Sequence, residues 1–137
     1  MADTGYNWDA AWTTIDEVIV LTTEGTDTDI SAPISLDGKA ACEVSIDADY
    51  SDHAKLTAGL SVYLLRDING TDYESPGDLP WGFEMPFTQL NSNRRSFTVD
   101  PALMGSFKIY LAWGNTTASS VATVATSYRC ATIPAAS

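Results

Sequence analysis

The chain has 137 residues and is 45 % hydrophobic, which is enough for one domain with its own core and too apolar for intrinsic disorder. Seven basic residues against eighteen acidic ones give a formal charge of -11, which argues against nucleic acid and against an anionic membrane as partners. No apolar run approaches the roughly 18 residues of a membrane span, and the first residues lack the basic and apolar regions of a secretory signal.

In chain order, residues 1–13 read as an N-terminal arm that carries Tyr6, Trp8 and Trp12, with one helical turn expected over 9–14. Residues 14–137 then read as a β domain. Residues 14–22 are rich in β-branched side chains and read as a strand. In 41–50, Cys42, Val44, Ile46, Ala48 and Tyr50 fall on one face, and Glu43, Ser45, Asp47 and Asp49 on the other, the period of a half-buried strand. Residues 59–66 carry apolar groups on both faces, which predicts a central position. Residues 81–87 alternate through Trp81, Phe83, Met85 and Phe87, and Pro86 predicts a sheet edge or a strand end. Strands are further predicted over 95–99, 106–113 and 120–130, with a second helical turn over 100–104. Asp37-Gly38, Asn69-Gly70 and Gly114-Asn115 punctuate them as turns. About seven or eight short strands predict an all-β fold, a single antiparallel β-sandwich of jelly-roll type.

The charge is placed unevenly. Residues 1–52 hold twelve acids and one base (Lys39), whereas 53–137 are balanced at six of each. Such a surface suits either solubility or a basic partner. The motifs point away from catalysis. His53 is the single histidine, and no Gly-x-Ser-x-Gly elbow, phosphate loop, HExxH or CxxC occurs. The acidic spacings Asp47-x-Asp49-x-x-Asp52 and Asp67-x-Asn69-x-x-Asp72 raise the question of calcium, but neither completes a twelve-residue EF-hand loop, and turn chemistry accounts for the second. No catalytic residue, cofactor or metal is therefore expected. Cys42 and Cys130 are expected as buried free thiols, with a bridge left open if their strands are neighbours. Trp81, Trp113, Tyr110 and Tyr63 are expected in the core, the alternative being an exposed platform on which sugars stack.

The run Ser61-Val-Tyr-Leu-Leu-Arg-Asp-Ile-Asn-Gly-Thr-Asp-Tyr73 and the later Phe107-Lys-Ile-Tyr-Leu-Ala-Trp-Gly-Asn-Thr-Thr117 resemble strand–turn segments of small virion proteins of tailed bacteriophages, which also place a short Trp-containing N-terminus before the body. The chain departs from that pattern in residues 128–137. The resemblance implies a non-enzymatic head decoration (cement) or head-fibre component on the outer surface of the virion head, assembled in the host cytoplasm. Its partners would be the major capsid protein and neighbouring copies of itself, in a homo-oligomer or symmetric array, with Tyr6, Trp8 and Trp12 as the contacts. The alternative is a carbohydrate- or receptor-binding module of a phage fibre or tail.

Overall fold

A computed structural model describes residues 6–21, 28–68, 71–78, 80–101, 105–113 and 121–133. The described residues form ten strands: β1 (Asn7–Trp8), β2 (Thr13–Leu21), β3 (Thr28–Ile30), β4 (Ile34–Ser35), β5 (Ala41–Tyr50), β6 (Leu60–Arg66), β7 (Trp81–Glu84), β8 (Ser92–Val99), β9 (Ser106–Trp113) and β10 (Ala122–Thr132). They make two antiparallel five-stranded sheets. In sheet A the order is β1-β10-β5-β8, with β2 also on β10. In sheet B it is β3-β9-β6-β7, with β4 also on β9.

Two pairs of strands each act as one interrupted strand, because β1 and β2 follow each other along β10, and β3 and β4 along β9. Merged in this way, the described residues make eight arms. The first pairs with the eighth, the second with the seventh, the third with the sixth and the fourth with the fifth. That nesting is a jelly roll. Both interruptions are bridged by a side-chain oxygen that takes over a ladder bond. Between β3 and β4, just before Pro33, the Ser31 hydroxyl accepts the Ile109 N–H at 2.9 Å. Between β1 and β2, the Asp9 carboxylate accepts the Cys130 N–H at 3.3 Å. A buried backbone N–H needs such a partner wherever the neighbouring strand breaks off.

The core lies between the inward rows of the two sheets. Cys42, Val44, Ile46, Ala48, Tyr50, Val124 and Cys130 come from sheet A, and Leu60, Val62, Leu64, Phe107, Ile109, Leu111 and Trp113 from sheet B. Tyr50 stacks on Trp113 with ring centroids 5.7 Å apart. The Tyr50 hydroxyl accepts the Leu60 N–H at 3.2 Å, and burial pushes its pKa up. The expected strands over 41–50 and 106–113 have those bounds, and β6 is central as its two apolar faces implied. Its outward Leu65 is only 2 % exposed, since the connection after β6 folds back through an Asp67–Tyr73 bridge. β7 is an edge strand that stops at Glu84, two residues before Pro86.

Several expectations differ. The helical turn over 9–14 is absent: the segment bends at Ala10 and Ala11, and Thr13 and Thr14 already belong to β2. Pairing with β10 outweighs the weak capping signal there. β1, β3 and β4 are too short to show a period, so sequence alternation does not reveal them. β10 runs on to Thr132, which places part of the C-terminal segment in sheet A. Residues 69, 70, 102–104 and 114–120, which hold the Asn-Gly turn, most of the second helical turn and the Gly114-Asn115 turn, lie outside the described residues.

Candidate functional site

Trp8 pairs with Ala131 and Thr13 with Tyr128, so five steps along the N-terminal segment match three along β10. The two extra residues bulge out at Asp9–Trp12, where the Asp9 N–H donates to the Cys130 carbonyl at 2.9 Å. The bulge brings Trp12 around to the side of the sheet on which Trp8 stands. Arg129 meets both rings, its guanidinium carbon 5.1 Å from the Trp8 centroid and 4.9 Å from that of Trp12. Glu43, opposite Arg129 on β5, holds the guanidinium from behind: Oε2 accepts from Nη2 at 3.0 Å and from Nε at 3.2 Å. The outer face of sheet A thus carries a Trp8–Arg129–Trp12 cluster with its cation neutralised at the back.

Cation–π attraction at such a partly exposed position contributes about 0.5–1 kcal/mol per ring. Its main effect is to fix two large rings in one orientation. Trp8 remains 37 % exposed and Tyr6 53 % exposed. Tyr6 lies apart from the cluster, in an open groove of about 500 Å³ lined also by Leu36, Gly38, Lys39, Pro101 and Ile133. Gly38 adopts a φ of 73° there, as the Asp37-Gly38 turn requires. The three arm aromatics therefore gather at one end of the sandwich, two in contact with one arginine and one in the neighbouring groove.

A second aromatic cluster closes the side of the sandwich where edge strands β7 and β8 face each other. Trp81 and Phe83 stand opposite core residues Leu64 and Val62, and Arg95 and Phe97 opposite Ile46 and Val44. Ring centroids lie 5.6 Å apart for Trp81–Phe83 and 5.2 Å for Trp81–Phe97, and the Arg95 guanidinium covers Phe83 at 4.2 Å. At an edge no further strand covers the inward side chains, so Trp81 stays 54 % exposed. The expectation that Trp81 is a core residue is corrected accordingly, whereas Trp113 is core at 1 %.

Tyr63 and Tyr110 are likewise not core residues. They stand side by side on the outer face of sheet B, centroids 5.9 Å apart, in a cross-strand row of Ile30, Tyr110, Tyr63 and Gly82. The Tyr63 ring occupies the space that a β-carbon at position 82 would need, so Gly82 is what lets it lie on the backbone of β7. Next to this row, Ile30, Lys108, Tyr73 and Glu74 border a shallow groove of about 300 Å³.

Among the described residues the candidate metal ligands do not converge; Asn69 lies outside them. Asp47 and Asp49 point from β5 toward Arg94 and Ser92, and Asp52 caps the short turn His53–Lys55 by accepting the Ala54 N–H. Among the described residues no group of three or more His, Cys, Asp or Glu side chains is placed to hold a metal ion. Sequence reasoning picked out Tyr6, Trp8 and Trp12 but missed Arg129, whose only signal was an isolated base at an outward position of the last strand. No protein-family sequence model matches the chain, and no curated protein matches it.

Proposed function

We propose that this protein is a non-enzymatic structural component of a virion that seats on the outer capsid surface and ties neighbouring subunits together, with Tyr6, Trp8 and Trp12 as its contact residues. The observation that carries the reading is the Trp8–Arg129–Trp12 cluster: an exposed Trp8 ring and a half-buried Trp12 ring are both held in place by a paired guanidinium. Rings immobilised before contact lose little side-chain entropy on docking, and Trp and Arg are the residues that dominate interface energetics. The acid-rich first part of the chain suits a basic capsid exterior and keeps the protein off packaged nucleic acid. Many such contacts repeated over a shell reinforce one another through effective concentration. A jelly roll by itself favours no function, since capsid proteins and lectins share it.

The test is co-sedimentation with heads of the source phage that lack the protein. Saturable pelleting at a fixed ratio to the major capsid protein is expected, with Trp8→Ala and Trp12→Ala each weakening it about tenfold or more while circular dichroism is unchanged. Absence of pelleting by the folded protein refutes the reading. The Ile30–Tyr110–Tyr63 row and its adjoining groove favour one other reading, a carbohydrate-binding module that stacks sugar rings on Tyr63 and Tyr110. Glycan binding lost in Tyr110→Ala, with no attachment to heads, would establish that reading instead.

A further inference from the structure

Cys42 and Cys130 are directly opposite each other on neighbouring strands β5 and β10, and are 0 % and 2 % exposed. Cys130 sends both its N–H and its carbonyl to Asp9, on the side away from β5. In an antiparallel ladder a residue whose backbone bonds to one neighbour faces the other as a non-hydrogen-bonded pair, and there the Cα atoms approach to about 4.5 Å. Disulfides span Cα separations of about 4.4–6.8 Å. Both are free thiols in the structure, buried on the inward face of sheet A.

We propose that Cys42 and Cys130 form an intramolecular disulfide that ties the last strand of the chain to the centre of sheet A. The oxidant is a low-molecular-weight disulfide. One cysteine thiolate attacks it, forming a mixed disulfide and releasing one equivalent of small thiol. The second thiolate then attacks the cysteine sulfur of that mixed disulfide and releases the other. Overall, two S–H bonds are replaced by one S–S bond, and two protons and two electrons pass to the reagent. In the folded protein, burial, the neighbouring thiol and the nearby Asp9 and Glu43 carboxylates hold the Cys42 thiol well above the ordinary thiol range. Both thiols are closed off from solvent, so the reagent reaches them during folding or when β1 lifts from β10.

The bond closes a long loop, between positions 42 and 130, which is the arrangement with the largest constraint on the unfolded chain. It also secures β10, the strand to which β1 and the Arg129 cluster are attached, and it holds whether or not the protein decorates a capsid. The experiment is refolding of the full chain in a buffer of reduced and oxidised glutathione, followed by acid quench and mass spectrometry. The expected product is about 2 Da lighter than the dithiol, yields one linked peptide pair containing Cys42 and Cys130, and melts about 10 °C higher than the reduced form. The double variant Cys42→Ala/Cys130→Ala is the fold control and should show no such rise with oxidant. Refolded protein that keeps two free thiols, ends as a glutathione adduct or links between chains would overturn the proposal. So would an intramolecular bond that leaves the melting temperature unchanged or lowered.

Discussion

Starting the chain at Thr13 removes the arm aromatics, but in this fold it also removes part of sheet A. β1 is lost, and so are the Asp9 N–H bond to the Cys130 carbonyl and the Asp9 carboxylate that accepts the Cys130 N–H. Two net hydrogen bonds at about 1 kcal/mol each come to about 2 kcal/mol. The two cation–π contacts on Arg129 add roughly 1–2 kcal/mol. The sum is about 3–4 kcal/mol. For 137 residues the unfolding entropy is on the order of 290 cal/mol/K, so the melting temperature should fall by about 10–14 °C. Trp8→Ala/Trp12→Ala, which keeps Asp9 and the backbone pairing, should fall by only about 3–7 °C. Differential scanning calorimetry of the three proteins side by side decides the matter. A truncated chain that melts within about 3 °C of the full chain would mean that the N-terminal segment lies on the domain without belonging to its sheet. The point variants are therefore the proper probes of capsid attachment, since the deletion confounds docking with folding.

Two further expectations concern the body of the fold. Phe107 is 0 % exposed on the inward face of β9, and Phe107→Ala should cost about 3–5 kcal/mol, read as a lower urea midpoint at an unchanged slope. On the acid side, hydrogen bonds from Arg66 hold the Glu74 carboxyl below its usual range, as those from Ser75 hold Asp78. Below the ordinary carboxylate pKa, about 4.3 for Glu, the unfolded chain binds a proton that folded Glu74 still refuses. This stabilisation is complete above that pKa and is lost as the pH falls through the lowered folded value. Urea midpoints measured from about pH 6 down to about pH 3 should fall less steeply in Glu74→Gln than in the parent. Parallel curves would show that the Arg66–Glu74 pair, with its exposed guanidinium, contributes nothing measurable.

How much was legible in advance varied by element. The strands 41–50 and 106–113 announce themselves through strict alternation, and their buried faces are those the alternation named. Both-sided hydrophobicity placed β6 in the interior of its sheet, and Pro86 placed the end of β7. For Trp81 the same alternation was a poor guide. It put the ring on the inward side, correctly, but an inward side chain on an edge strand has no cover, and edge position is a property of the whole sheet. Tyr63 and Tyr110 fall on the outward parity of their strands, yet only the cross-strand register makes them neighbours.

By itself, the sequence determined the class of the fold, the faces of its longer strands and the acidity of its first part. These follow from side chains that alternate along one strand and from a count of charges, both local quantities. Tertiary structure alone decided which strands are partners, and with that the meeting of Arg129 with Trp8 and Trp12 and of Cys42 with Cys130. Those partners lie far apart in the sequence. Each strand's pattern says which face it must bury but not against which other strand, and in a jelly roll that choice is made by the nesting of all eight arms together.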